Sequence, residues 1–275
     1  MIVTRTNSDR LLDAAVIATH WTAIVPAAGL GSRLNFDKPK ILYPIAGRTI
    51  LERLADLLAP VASRMVLVLS PEGSAAVEPV ARRVIGKHLA IAVQPAPIGM
   101  ADAVACGLAQ VETQHTLIVW GDQVAIRPES LDFCMRLHQG PAHPQATLPT
   151  LWRERPYIHF ERNTEGRLAR VLQAREGDLL PDRGESDSGI FLFRTQVLRD
   201  FMFQLLASNQ CVGARTDERN FLPIFPLIDR NVGNVVTAQV MTEAESVGVN
   251  SAADVEYIER ILSTASRPAG GETPS

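Results

Sequence analysis

Between residues 22 and 120 the chain alternates short apolar runs with segments of helical periodicity, and few folds accommodate that pattern. Thr22 to Pro26, Met65 to Leu69, Leu89 to Val93 and Thr116 to Trp120 read as buried strands. Between them, Ile50, Leu51, Leu54, Leu57 and Leu58 recur at helical spacing, and helices are also predicted near Ser74 to Ile85 and over Ala101 to Leu108. Strands that alternate with helices pair in parallel through right-handed crossovers. The prediction is an α/β fold: a Rossmann-like, mostly parallel (mixed) central sheet flanked by helices. Beyond Pro144 the pattern changes. Segments 145–152, 157–161, 167–173 and 189–194 look extended and predict a mixed or antiparallel extension of the sheet, closed by an amphipathic helix carrying Val255, Ile258, Ile261 and Leu262.

A chain of 275 residues fits one large α/β domain or two small ones. We expect residues 1–20 to be an N-terminal extension with a short helix, 21–265 to form the domain, and 266–275, rich in Pro, Gly, Ser and Thr, to be a disordered tail. The net charge is −3, with 27 basic and 30 acidic residues, which gives no electrostatic case for nucleic acid or an anionic membrane as partner. No apolar run is long enough to span a bilayer. Asp13 interrupts the apolar stretch Leu11 to Thr19, so a secretory signal is not expected. Cys106, Cys134 and Cys211 are scattered, as in a reducing compartment. The expected location is cytoplasmic.

The strongest local motif follows the first strand: Ala27-Ala28-Gly29-Leu30-Gly31-Ser32-Arg33, with Pro39-Lys40 shortly after. Small residues let backbone N–H groups approach phosphate oxygens, and Arg33 and Lys40 supply offsetting charge. A dinucleotide fingerprint would need glycine where Leu34 stands, and the one Gly-Lys pair, Gly86-Lys87, is followed by His88 and not by the Ser or Thr of a Walker A loop.

This run resembles the signature loop of the sugar-1-phosphate nucleotidyltransferases. With Ile41-Leu42-Tyr43-Pro44-Ile45-Ala46-Gly47 it is most similar to the uridylyltransferase domain of the bacterial N-acetylglucosamine-1-phosphate uridylyltransferases. The resemblance runs in order from about Thr22 to Leu262 and implies a fold of the nucleotide-diphospho-sugar transferase type. It also implies transfer of a nucleoside monophosphate from an NTP to a phosphorylated acceptor, with UTP and a sugar 1-phosphate favoured and pyrophosphate released. Ala27, Ala28, Gly29, Gly31, Ser32, Gln94 and Gly99 would bind the nucleotide. Arg33 and Lys40 would be catalytic, and Asp122 and Asn250 would hold Mg²⁺, which favours hard oxygen ligands. Gln94 would read the base; a glutamine that both donates and accepts suits a pyrimidine, and a freely flipping amide would serve uracil or cytosine alike.

The acceptor side departs from that family's pattern. Gln173, Arg175 and Asp187 stand where it has glutamate, lysine and asparagine, Ile158 replaces a glycine, and Met100 a threonine. Gln173, Arg175 and Asp187 are therefore the candidate acceptor-binding residues, and N-acetylglucosamine 1-phosphate is expected to be a poor substrate. Two alternatives stay open: a cytidylyltransferase acting on a phosphonate, phosphocholine or other phosphorylated alcohol, and a non-catalytic nucleotide-sugar-binding regulatory subunit. A homo-oligomer is also open.

Overall fold

The computed structural model describes residues 1–4, 18–29 and 31–265. In chain order its elements are β1 (Ile2–Thr4), β2 (Trp21–Pro26), a small hairpin of β3 (Pro44–Ile45) and β4 (Arg48–Thr49), α1 (Ile50–Leu58), β5 (Arg64–Leu69), α2 (Pro71–Ile85), β6 (Leu89–Val93), α3 (Met100–Leu108) and β7 (His115–Val119). There follow α4 (Pro128–Gln139), β8 (Ala146–Glu154), β9 (Ile158–Arg162), β10 (Leu168–Gln173), β11 (Arg183–Asp187), β12 (Ile190–Arg194), α5 (Thr195–Ala207), α6 (Ile224–Asn231), β13 (Val235–Gln239) and α7 (Ala252–Ala265).

Nine strands form one sheet in the order β1-β13-β8-β12-β7-β2-β5-β6, with β11 pairing the far half of β8. β2, β5, β6 and β7 are mutually parallel, and β12 runs antiparallel between β7 and β8. The mostly parallel, mixed sheet expected from the alternation is present.

Side chains alternate between the two faces of the sheet, as the period of a strand requires. Ala23, Val25, Leu67, Leu117 and Val119 pack with α1, α2 and α4, while Ile24, Val66, Val68 and Ile118 pack with α3, α5 and α6. Because both faces are covered, these strands read as continuous apolar runs. Helix α1 starts sharply because Thr49 and Glu52 form a capping box. Its Ile50, Leu51, Leu54 and Leu58 are then fully buried, each contributing about 2 kcal/mol.

The expected N-terminal extension begins inside the sheet: Ile2 to Thr4 pair in parallel with Thr237 to Gln239. An edge strand such as β13 exposes unpaired backbone groups, and β1 satisfies them. The short helix expected in this segment and the tail 266–275 lie outside the described residues, apart from a 3-10 turn at Ala18–His20.

The chain leaves β2 toward β5 and β6 and then returns to β7 on the other side of β2. The connections after β2 and β7 therefore diverge, and the crevice between them at the carboxyl ends of the strands is where open α/β sheets bind ligands.

Candidate active site

The glycine-rich turn leaves β2 at this crevice and Asp122 leaves β7 beside it. The Gly121 N–H donates to the Pro26 carbonyl at 3.2 Å, and a Cβ on residue 121 would lie 2.4 Å from that oxygen. Glycine is thus required for the two strand ends to close on each other. The chain from Lys40 onward folds back on the turn, the Lys40 N–H donating to the Gly29 carbonyl at 3.2 Å.

Asp122 and Asn250 meet because the segment after β13 returns to the same place. Gln123 and Gly248 form a β-bridge, and the Val249 N–H donates to the Asp122 carbonyl at 3.0 Å. The Lys40 ammonium then donates to Asp122 Oδ2 at 2.8 Å and to Asn250 Oδ1 at 2.9 Å. A carboxylate oxygen and an amide oxygen that converge on one cationic group are hard donors suited to a divalent cation. Mg²⁺ completes its shell with waters and substrate phosphates.

Two cavities of about 330 Å³ open on either side of Asp122. Ala27, Ala28, Gly29, Lys40, Gln94 and Gly99 line the first, together with Met100, Trp120 and Glu218. Gln94 is buried, and its Nε2 donates to the Gly99 carbonyl at 3.0 Å and to Asp102 Oδ2 at 3.1 Å. Both amide hydrogens are used on acceptors, so the freely flipping glutamine expected from the sequence is not what the fold provides. Gly31 and Arg33 lie outside this wall; Arg33 is exposed on the 3-10 turn Ser32–Leu34 that also carries Ser32.

Arg153, Arg155, Tyr157, Asp187 and Asn250 line the second cavity. Trp120 and Asp122 belong to both. Trp120 is propped edge-on against Phe191 and Phe221, ring centroids 4.7 and 5.6 Å away. Burial pushes the Asp187 carboxyl up to about 6; the Gly189 N–H, donating to Oδ2 at 3.1 Å, and the Arg153 charge pull the other way, and Asp122 adds to the rise.

Gln173 and Arg175 line neither cavity. Gln173 is buried at the end of β10. The Arg175 guanidinium is engaged by Glu176, Glu218 and Asn220, so it buttresses the loop that brings Glu218 to the first cavity. Of the candidate acceptor residues, the fold brings Asp187 to Asp122 and leaves the other two outside. Trp120, Arg153, Arg155 and Glu218 were not singled out by sequence reasoning. The adjacency of Trp120 to Asp122 was the one available signal.

Residues 23–185 match the MobA-like NTP transferase domain. The chain belongs to that family. It is also similar to proteins named bifunctional protein GlmU. That of Carboxydothermus hydrogenoformans is 25% identical over 82% of this chain and 49% of its own length, and that of Desulfitobacterium hafniense 25% identical over 88% and 52%. The chain spans about half the length of these curated relatives. Among solved structures it resembles the inositol-1-phosphate CTP transferase from T. maritima, with TM-score 0.66, 18% identity, and coverage of 94% of this chain and 100% of that one. It also resembles 4-diphosphocytidyl-2C-methyl-D-erythritol synthase from Anaerococcus prevotii, with TM-score 0.64, 13% identity, and coverage of 90% and 100%. The fold is the nucleotide-diphospho-sugar transferase type, and the chain carries a nucleotidyltransferase domain. None of its described helices is long and apolar enough to cross a membrane.

Proposed function

We propose that this domain transfers a nucleoside monophosphate from an NTP, UTP favoured, to a small phosphorylated acceptor of the sugar 1-phosphate kind, releasing pyrophosphate. The observation that carries the reading is the pair of cavities meeting at Asp122, with Lys40 and Asn250 at the junction. Two substrates that react at phosphorus need this arrangement: a chamber each, with cationic and metal-ligating groups where they touch.

The first cavity takes the nucleotide, its phosphates along the small residues Ala27, Ala28 and Gly29 and toward Gly31 and Ser32, and its base toward Gln94 and Gly99. The acceptor enters the second, with its phosphate toward Asp122 and Asn250 and its body against Asp187, Arg153 and Tyr157. Asp122 and Asn250 would hold Mg²⁺, which supplies charge neutralisation between the two phosphate groups. Lys40 moves from its resting partners to the α-phosphate, and Arg33, exposed on the turn that follows the glycine-rich run, holds the departing pyrophosphate. No general base is required, because an acceptor phosphate is already anionic near neutral pH. Transfer then depends on positioning and on charge placed in advance.

A specific observation favours a second reading, with CTP as donor. One structural neighbour is a CTP transferase and the other a 4-diphosphocytidyl-2C-methyl-D-erythritol synthase. One experiment separates the two. Each of the four NTPs is incubated with Mg²⁺ and a panel of sugar 1-phosphates, polyol phosphates, phosphocholine and phosphonates, and pyrophosphate is detected. Acceptor-dependent release is expected, with little from N-acetylglucosamine 1-phosphate. No release from any pair would sink the reading.

A further inference from the structure

Helix α3 begins directly beneath the first cavity, and its first turn carries Asp102. Asp102 Oδ2 accepts from Gln94 Nε2, whose other hydrogen goes to the Gly99 carbonyl. Neither partner can donate, so the amide has one orientation, and chemistry assigns its oxygen and nitrogen where coordinates alone would not. What Gln94 offers a ligand is the acceptor oxygen Oε1.

The surroundings hold both partners still. Gly99 has φ +123°, and a Cβ there would lie 2.3 Å from the Arg219 backbone nitrogen. The Arg219 N–H donates to the Ile98 carbonyl at 2.7 Å, and the Ala101 N–H donates to the Arg219 carbonyl at 2.9 Å. These bonds clamp the Gly99 carbonyl from both sides. The Arg219 guanidinium stands 4.0 Å from Asp102 Oδ1, which keeps the carboxylate in place.

Nucleobases form two pairs that differ by an exchange of donor and acceptor. Uracil and guanine carry a ring N–H beside a carbonyl, and cytosine and adenine carry a bare ring nitrogen beside an amino group. A group fixed as an acceptor favours one member of each pair at whichever of these atoms it meets. A group free to flip favours neither, and a site that fixes its polarity rejects the analogue that presents the wrong one.

We propose that Asp102 is a positioning residue that locks Gln94 as an acceptor toward the base and so sets the choice between oxo and amino nucleotides. This rests on the reading that a nucleotide occupies the first cavity. The motif that singled out Gln94 gives no role to Asp102, and the two lie eight residues apart.

The test is calorimetric binding of UTP, CTP, GTP and ATP with Mg²⁺ to the full chain and to two variants, each checked by thermal melting. Asp102→Ala removes the acceptor. Asp102→Asn removes the charge at the start of α3 but keeps an oxygen that can accept from Gln94. The parent is expected to prefer one member of the UTP/CTP or GTP/ATP pair by about tenfold or more. Asp102→Ala leaves only the Gly99 carbonyl to hold the amide and should lower that ratio several-fold, and Asp102→Asn should retain most of it. An unchanged ratio in Asp102→Ala overturns the proposal. So does an equal collapse in both variants, which would trace the effect to lost charge, and so does a parent that discriminates within neither pair. A parent that binds no NTP overturns the nucleotide reading itself, and this inference with it.

Discussion

Lys40 Nζ lies 2.8 Å from Asp122 Oδ2 and 2.9 Å from Asn250 Oδ1, so one ammonium sits where two hard oxygens converge. An ammonium and a divalent cation cannot both occupy that point. On the function proposed above, the resting ion pair would compete with metal until substrate phosphates draw Lys40 away.

That competition has a measurable sign. Lys40→Ala should bind Mn²⁺, read by electron paramagnetic resonance without nucleotide, a few-fold to about tenfold more tightly than the parent, since the pair is partly exposed and the gain is bounded accordingly. Its kcat/KM should nevertheless fall by about 10²-fold or more, because the charge at the α-phosphate is lost. Equal or weaker Mn²⁺ binding would remove the competition.

Asp122→Ala should lower turnover by about 10³-fold or more, with a thermal midpoint within a few degrees of the parent's, since the carboxylate is one of two metal-ligating candidates and lies at the rim of the fold. Pyrophosphate release and a melting curve check both halves. Near-parental activity in a folded variant would end the metal assignment.

Asp187 carries a pH signature. Its carboxyl is raised from 3.8 to about 6, so the folded state holds that proton more tightly than the unfolded chain. The stability this contributes is fully present below pH 3.8 and is lost as pH rises through about 6. Asp187→Asn cannot ionise. Its stability relative to the parent should rise between pH 4 and 7 by about 2 kcal/mol, measured by urea denaturation at each pH. A flat difference would show that the carboxyl is not desolvated.

At the opposite end of the sheet, Trp21, His115 and His138 cluster with ring centroids within 5.4 Å of one another, each with a buried ring nitrogen that has no hydrogen-bond partner among the described residues. Burial first, then Arg194 and His20, lowers His115 to about 4; burial first, then His115 and Arg194, lowers His138. Histidines lowered in this way contribute stability above the unfolded value of 6.5, and it is lost as pH falls toward 4. In His138→Gln the fall in stability from pH 6.5 to 4 should be shallower. A slope equal to the parent's would contradict the assignment.

The core sheet was legible because strands covered on both faces must be apolar throughout, and β2, β5, β6 and β7 are such strands. β11 was not, because it buries Glu185 and Ser186 where a strand pattern calls for apolar residues. Glu185 is accommodated by Arg162 at 2.7 Å and Thr150 at 2.8 Å, partners that come from other strands. α4 hid for a similar reason, with Ser130 and His138 on its buried face. At the site, Lys40, Asp122 and Asn250 were readable from short motifs and do converge. Arg175 was placed by alignment with a pattern, but its charge is taken up by Glu218, a neighbour that only the fold supplies. Asp102 was invisible for the same cause: its importance lies in what Gln94 can no longer donate.

The two chambers adjoin at the wall they share, Trp120 and Asp122. A compound that reaches into both loses its rigid-body freedom once, where two separate molecules lose it twice. On the function proposed above, inhibitors are best built on the joined product, nucleoside and acceptor tied through a diphosphate mimic. An analogue of either half alone should bind far more weakly than the tether of the two.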